Sequence, residues 1–316
     1  MLHTPGTSGI LAYATLAGGG HLEAEVEAEI DRPRRGEPCS TWRGFGGRAL
    51  LRFMRRGHLD AAWWGEVEKR SQWWSYDLFN GVAGLAPLLA IIAASDRRSH
   101  AITRRVFERT ARTLSWLLDR HEAGQSVPLG LAHGVAGLLL AVEQCGTLLN
   151  RDVARLRERT AGVLLESALE SPDGHRWPTR SRQTTLGPIH GLCDGAPGIA
   201  FTAIFGLRYS GDTRYQPLLE LAVPSLLDAR GVPDWCCGAL GRAEVLIEAS
   251  RLTQDAEFLT LAAKLVDVVK PASFALLNWG WGQAGLAFTR LRLIDETLRL
   301  PGYPHDLSPL PWGHSK

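Results

Sequence analysis

Three cysteines and a histidine are the residues of this sequence best suited to chemistry. Cys193 stands 43 residues before the adjacent pair Cys236 and Cys237, and His133 stands 60 residues before Cys193. Zinc binds sulfur tetrahedrally, so three thiolates with a fourth position open make a site of the catalytic kind. The spacing matches no zinc-finger expression. Taken alone, the same cysteines also read as packed core thiols, or the pair as a vicinal disulfide. His133 alone reads as an ordinary core or capping histidine. Only placement in the fold separates these readings.

A repeat supplies that placement. Gly-x-x-Gly followed by an apolar stretch of helical length occurs seven times, starting at Gly6, Gly44, Gly81, Gly134, Gly195, Gly238 and Gly282. The first glycines are 38, 37, 53, 61, 43 and 44 residues apart, a period that predicts a repeat architecture. With the first glycine as zero, the minus-one residues are Pro5, Arg43, Asn80, His133, Asp194, Cys237 and Trp281. The minus-two residues are Thr4, Trp42, Phe79, Ala132, Cys193, Cys236 and Gly280. His133, Cys193 and the cysteine pair therefore share one layer, which turns the reading toward a metal. Cys39 and Cys145 fall outside it and read as structural thiols. Asp77, at minus four in the third repeat, reads equally as a helix N-cap and as an acid–base group. Asp77 and Asp194 are the only acidic residues assigned to the layer.

The elements that must hold this layer are helices. Val106–Arg120, Val153–Leu169 and Phe258–Val269 have amphipathic helical periodicity. The segments after the glycines, such as Leu138–Val142 and Ala196–Phe205, are apolar all round and so buried on all sides. Each repeat pairs an outer helix with an inner one, and no sustained alternation marks a strand. The expected fold is all-α, an (α/α) barrel or toroid with seven inner and about seven outer helices, in preference to an open solenoid. The glycines are expected to admit positive φ and close backbone approach where loop enters helix. Inner-helix N-termini, gathered at one end, are expected to favour anions.

Composition bounds the rest. With 316 residues, 45% hydrophobic and 22% charged, the chain reads as one globular domain over 1–316. It is expected to be shortened at the N-terminus, because the first glycine motif begins at residue 6. A net charge of +2 gives no pull toward nucleic acid or membrane. No apolar run reaches the roughly 18 residues that span a bilayer, and no basic n-region marks a signal peptide. A cytoplasmic monomer with reduced thiols is expected.

The motifs resemble the lanthionine synthetase C family, the cyclases of lanthipeptide biosynthesis. The strings that carry the resemblance are Tyr76-Asp-Leu-Phe-Asn-Gly-Val-Ala-Gly84, Gly130-Leu-Ala-His-Gly-Val-Ala-Gly137, Cys193-Asp-Gly-Ala-Pro-Gly198 and Trp235-Cys-Cys-Gly238. The likeness runs from about Tyr76 to Arg292. Cys237 stands where the family usually has histidine, so the sixth repeat is similar to the three-cysteine cyclase domains of class II, LanM-type synthetases. Leu192 stands where the family commonly has tryptophan, and Asp194 where it has an aromatic residue or histidine. Ile189 replaces the arginine of stand-alone class I enzymes, with His190 beside it as the candidate substitute.

The resemblance implies an enzyme that closes thioether rings. A zinc-bound peptide cysteine thiolate adds to dehydroalanine or dehydrobutyrine, giving lanthionine or methyllanthionine. Zn2+ would be held by Cys193, Cys236 and Cys237, with His133, Asp77 and His190 as catalytic residues. A free thiol of pKa near 8.5 is about 3% ionised at neutral pH, so full ionisation gains roughly 30-fold, about 2 kcal/mol. The rest must come from placing the alkene beside the sulfur. His133 is the best general acid in the layer. The implied partner is a dehydrated precursor peptide, with a separate dehydratase as a further candidate and no nucleic acid. Two other functions stay open: addition of glutathione or another thiol to dehydroamino acids, and a non-catalytic subunit that binds peptide.

Overall fold

The glycine motifs open buried helices. In the computed structural model, which describes residues 20–21, 24–31, 37–41, 44–73, 75–172, 174–186, 191–227, 234–269, 283–304 and 307, the chain forms twelve α-helices, short 3-10 turns and one hairpin among the described residues. The elements are α1 (Ala24–Asp31), α2 (Phe45–Arg56), α3 (Ala61–Arg70), α4 (Ala86–Ile92), α5 (Arg98–Glu122), α6 (Val135–Leu149), α7 (Ala154–Glu166), β1 (Leu169–Ser171), β2 (Gly174–Arg176), α8 (Ala196–Ser210), α9 (Gln216–Ala222), α10 (Ala239–Thr253), α11 (Ala256–Asp267) and α12 (Gln283–Ile294). Helices α2, α4, α6, α8, α10 and α12 follow glycine motifs two to seven. The first motif, at Gly6, lies outside the described residues.

These six inner helices pack in order, each on the next: α2 on α4, α4 on α6, α6 on α8, α8 on α10 and α10 on α12. In α6 every residue but Thr147 is buried, and α8 is buried without a break from Ala196 to Gly206. The others form a shell of amphipathic helices. In α5 the buried positions Ile102, Val106, Thr110, Leu114, Leu117 and His121 recur every three or four residues and face inward. Outer α5 and α7 both rest on α6, and α11 rests on α10 and α12. The architecture is therefore the all-α toroid that the alternation of amphipathic and wholly apolar segments predicts.

The glycines act through close approach alone. Gly44, Gly81, Gly134, Gly195 and Gly238 have φ between −156° and −105°, so none needs the left-handed region, contrary to expectation. Gly198 shows the actual constraint. A Cβ there would lie 2.2 Å from the carbonyl oxygen of Leu192 in its own turn and 2.9 Å from Cβ of Leu131 in the preceding repeat. The inner helix is thus pressed onto two loops at once, and a side chain at this position would push them apart.

A second expectation also needs correction. Helix N-termini ordinarily offer unpaired N–H groups, but here the turn consumes them. In the third repeat the N–H groups of Gly81, Val82 and Ala83 donate to the carbonyls of Asp77, Ser75 and Tyr76. In the fourth, Gly134, Val135 and Ala136 donate to Gly130, Pro128 and Leu129. The second repeat has the same pattern, so no backbone anion cradle is left open in these three turns.

Two short features lay below what periodicity can detect. The helix expected to run to Leu169 ends at Glu166, and β1 then pairs antiparallel with β2, Leu169 opposite Arg176. Three-residue strands carry no readable alternation. Beyond α12 the chain turns back into the ring. Tyr303, fully buried, packs edge-on to Phe201 at 5.1 Å and against Phe205 at 5.0 Å, both on α8. Gln144 Nε2 on α6 donates to the Gly302 carbonyl (3.0 Å), and Arg292 Nε on α12 donates to that of Leu298 (3.2 Å). This strap plugs the end of the ring away from the glycine motifs. Among the described residues no helix is long and apolar enough to cross a membrane.

Candidate metal centre

Backbone hydrogen bonds join the turns before the glycines into a belt. The N–H of Phe79 donates to the carbonyl of Ala132 (3.2 Å), that of Ala132 to Cys193 (3.0 Å), and that of Cys193 to Cys236 (3.3 Å). All four are minus-two residues, so the repeat register is fixed by hydrogen bonds, one repeat to the next. Gly191 lets the fifth turn lie flat on the sixth: a Cβ there would sit 2.2 Å from Cα of Cys237. Through this belt, residues distant in sequence become neighbours.

The structure brings Cys193, Cys236 and Cys237 together, with their sulfurs all within 4.8 Å of one another. Zinc–sulfur bonds of about 2.3 Å in a tetrahedron place sulfurs about 3.8 Å apart, so small rotamer changes would close this cluster on a metal. Its titration points the same way. Cys193 is pushed up because its thiol donates to the other two sulfurs. Cys236 is pushed up because donation to Cys237 and burial outweigh the bond it accepts from Cys193. Cys237 accepts from both and is held far below the ordinary thiol range. Three sulfurs this close cannot all ionise unaided, and a divalent cation that replaces their protons removes the conflict. The donor set therefore fits zinc, and Cys236 is buried while Cys193 and Cys237 are partly open.

The next residues along the layer form a hydrogen-bonded pair. His133 Nδ1 lies 3.4 Å from Asp77 Oδ2, with the imidazole 46% exposed. The other carboxylate oxygen of Asp77 accepts the N–H groups of Phe79 (2.9 Å) and Asn80 (2.5 Å). Asp77 thus caps its turn with one oxygen and faces the histidine with the other, so the two readings of this residue coexist. Burial pushes its carboxyl up, but the His133 contact and the two N–H bonds outweigh burial and hold it below the usual range. The Phe79 ring stands edge-on to His133, with centroids 5.9 Å apart. His190 lies outside the described residues.

Two further carboxyls flank the sulfurs. Burial raises the Asp194 carboxyl, opposed by His133 and reinforced by Cys237. Asp234 is buried, and its Oδ1 accepts the N–H of Cys237 at 2.6 Å. Its carboxyl is pushed up to about 6, chiefly by burial. Asp234 is absent from the acidic residues assigned to the layer from sequence. The signal was present: it stands four residues before Gly238, as Asp77 stands four before Gly81.

Comparisons with known proteins agree with this geometry. The sequence profile of the family described as Lanthionine synthetase C-like protein matches residues 62–275. No curated protein sequence matches the chain. Among solved structures, that of a protein titled "Nisin cyclase" is similar in fold, with a TM-score of 0.61 at 14% sequence identity, covering 93% of this chain and 87% of that one. A profile match over more than half of the 316 residues identifies the family: the chain belongs to the lanthionine synthetase C-like proteins.

Proposed function

We propose that this protein is a zinc-dependent peptide cyclase. It forms lanthionine and methyllanthionine by adding a peptide cysteine to dehydroalanine or dehydrobutyrine in a dehydrated precursor. The observation that carries the proposal is the gathering of three sulfurs within 4.8 Å, from two repeats, in the layer that also holds the His133–Asp77 pair. Cys193, Cys236 and Cys237 would hold zinc, which supplies a Lewis acid that ionises the substrate thiol near neutral pH.

The chain's own residues do the proton work. Asp77 faces Nδ1 of His133, so that nitrogen keeps its hydrogen and Nε2 is left for the substrate. Nε2 takes the proton of the incoming thiol and returns it to Cα of the former alkene once the carbon–sulfur bond has formed. The partly open imidazole allows a peptide to approach. His190 stands three residues before Cys193 in sequence and is the candidate for the family arginine. We read the chain as one cytoplasmic domain acting as a monomer, with any dehydratase in trans.

Mass spectrometry of a dehydrated peptide tests this reading. After incubation and thiol alkylation, a closed ring leaves the mass unchanged and blocks alkylation. A peptide that reacts only when glutathione is added would replace the cyclase reading by external thiol addition. Retained zinc with no turnover of either kind would indicate a binding subunit.

A further inference from the structure

Two adjacent cysteines make an awkward pair of ligands. Neighbouring side chains leave the backbone in different directions, on opposite faces of a strand and about 100° apart around a helix. Each sulfur can turn about its own χ1, but both meet one metal only if the backbone between them is held in one orientation. Cys193 faces no such difficulty, because it is the single sulfur that its turn brings to the cluster.

The backbone between Cys236 and Cys237 is one peptide unit, a rigid plane with a Cα at each end. Its carbonyl, that of Cys236, accepts the N–H of Cys193 (3.3 Å), and its N–H, that of Cys237, donates to Asp234 Oδ1 (2.6 Å). The plane is therefore gripped on both sides, once by the residue that bears the third sulfur and once by Asp234. The carbonyl bond belongs to the belt that links the third to the sixth repeat. The Asp234 bond is peculiar to its own turn. At the same offset, four before glycine, the fourth and fifth repeats carry Gly130 and Gly191, which offer no side chain. Asp77 makes the equivalent bond in the third repeat, to the N–H of Asn80 at 2.5 Å, but no sulfur stands in that turn. Asp234 is also buried, so little water is at hand to replace it as acceptor.

We infer that Asp234 is a positioning residue of the metal centre: its carboxylate fixes the peptide plane between Cys236 and Cys237, so that both sulfurs converge on the ion that Cys193 shares. The inference rests on the zinc reading of the three sulfurs. No ligand is lost with Asp234, so its removal should loosen the centre without emptying it.

The test is metal binding by the full chain, kept reduced. Zinc is drawn off by a graded chelator, and in a second series it is replaced by Co2+, whose sulfur-to-metal charge-transfer absorption reports the thiolates on the ion. Asp234→Ala should weaken zinc binding roughly 10–100-fold and lower that absorption at saturating cobalt. Asp234→Asn keeps an acceptor oxygen, so it should stay within about threefold of wild type and restore the cobalt spectrum. Asp77→Ala removes the same bond from a turn without sulfur and should also leave zinc affinity within about threefold. If Asp234→Ala does not fold, Asp234→Leu, close to the carboxylate in shape but without an acceptor, takes its place. Zinc affinity within about threefold of wild type in the alanine or leucine variant overturns the assignment and leaves the metal centre standing. An asparagine variant as weak as alanine overturns it too, because the effect then belongs to charge, as does an equal loss in Asp77→Ala, which would mark a general loosening of the turns. A wild type that binds neither ion removes the centre itself, and the assignment with it.

Discussion

At the plugged end of the ring Arg292 has no solvent exposure and bonds to both Glu244 and Glu248. Glu248 also meets Arg208 (2.7 Å) and Arg251 (3.2 Å), and Thr289 donates to Glu244 (2.6 Å). At the glycine end, three sulfurs lie within 4.8 Å of one another and cannot all ionise without a cation to share. Both ends bury ionisable groups among apolar helices, yet only the first is balanced by its own residues. Burial of charge is therefore a poor sign of function by itself. The informative sign is a cluster whose charge is completed only by something brought from outside.

Breaking each end should have separate consequences. The largest concerns the sulfurs. Wild-type protein should hold about one zinc per chain, as three thiolates and an open position imply, and Cys193→Ala should bring metal content near zero and abolish ring closure. Elemental analysis decides this, and a metal-free wild type would remove the centre altogether. At the plugged end, Arg292→Ala leaves two buried carboxylates short of a partner. A loss of about 3–5 kcal/mol in urea-unfolding stability is expected, with zinc content per folded chain unchanged. If zinc falls in step with stability, the two ends are not independent.

His133→Ala probes the glycine end without touching its sulfurs, since the histidine lies in the layer but outside the cluster of three cysteines. Zinc and stability should hold while the cyclisation rate falls by roughly 10²–10⁴-fold, the range for loss of a general acid. Normal ring closure in this variant would show that another group delivers the proton.

Much of this arrangement is legible in the sequence. Wholly apolar segments recurring along the chain are satisfied by helices buried on every side, and offsets of minus two for Cys193 and Cys236 and minus one for His133 and Cys237 place these residues in one layer. What escaped was local. Whether a helix N-terminus offers its N–H groups depends on which carbonyls the preceding turn presents, and Ser75 and Tyr76 give no such sign in their identities. The strap through Tyr303 depends on a return of the chain across four inner helices, which no periodicity encodes. Asp234 holds the minus-four offset that Asp77 holds in its own repeat, an offset that the minus-one and minus-two rows leave out.

Asp77 gives the smallest and most discriminating effect, because it combines the two kinds of behaviour. Its Oδ1 is satisfied within the turn, like the carboxylates of the plugged end, while its Oδ2 serves the exposed histidine. The folded chain favours its charged form, so its contribution to stability is present above the unfolded carboxyl value of 3.8 and is lost as pH falls through the lower, folded one. Asp77→Asn keeps an oxygen that can cap the turn but loses the carboxylate charge, so it should cost about 1 kcal/mol at neutral pH, the difference between a charge-assisted and a neutral hydrogen bond. The two proteins should converge in stability in acid. Cyclisation should fall further than that stability change can account for, because an amide no longer fixes the His133 tautomer. Equal stability curves at every pH would show that the charge of Asp77 is dispensable for the fold. An unchanged rate would show that His133 is oriented by its packing against Phe79 instead.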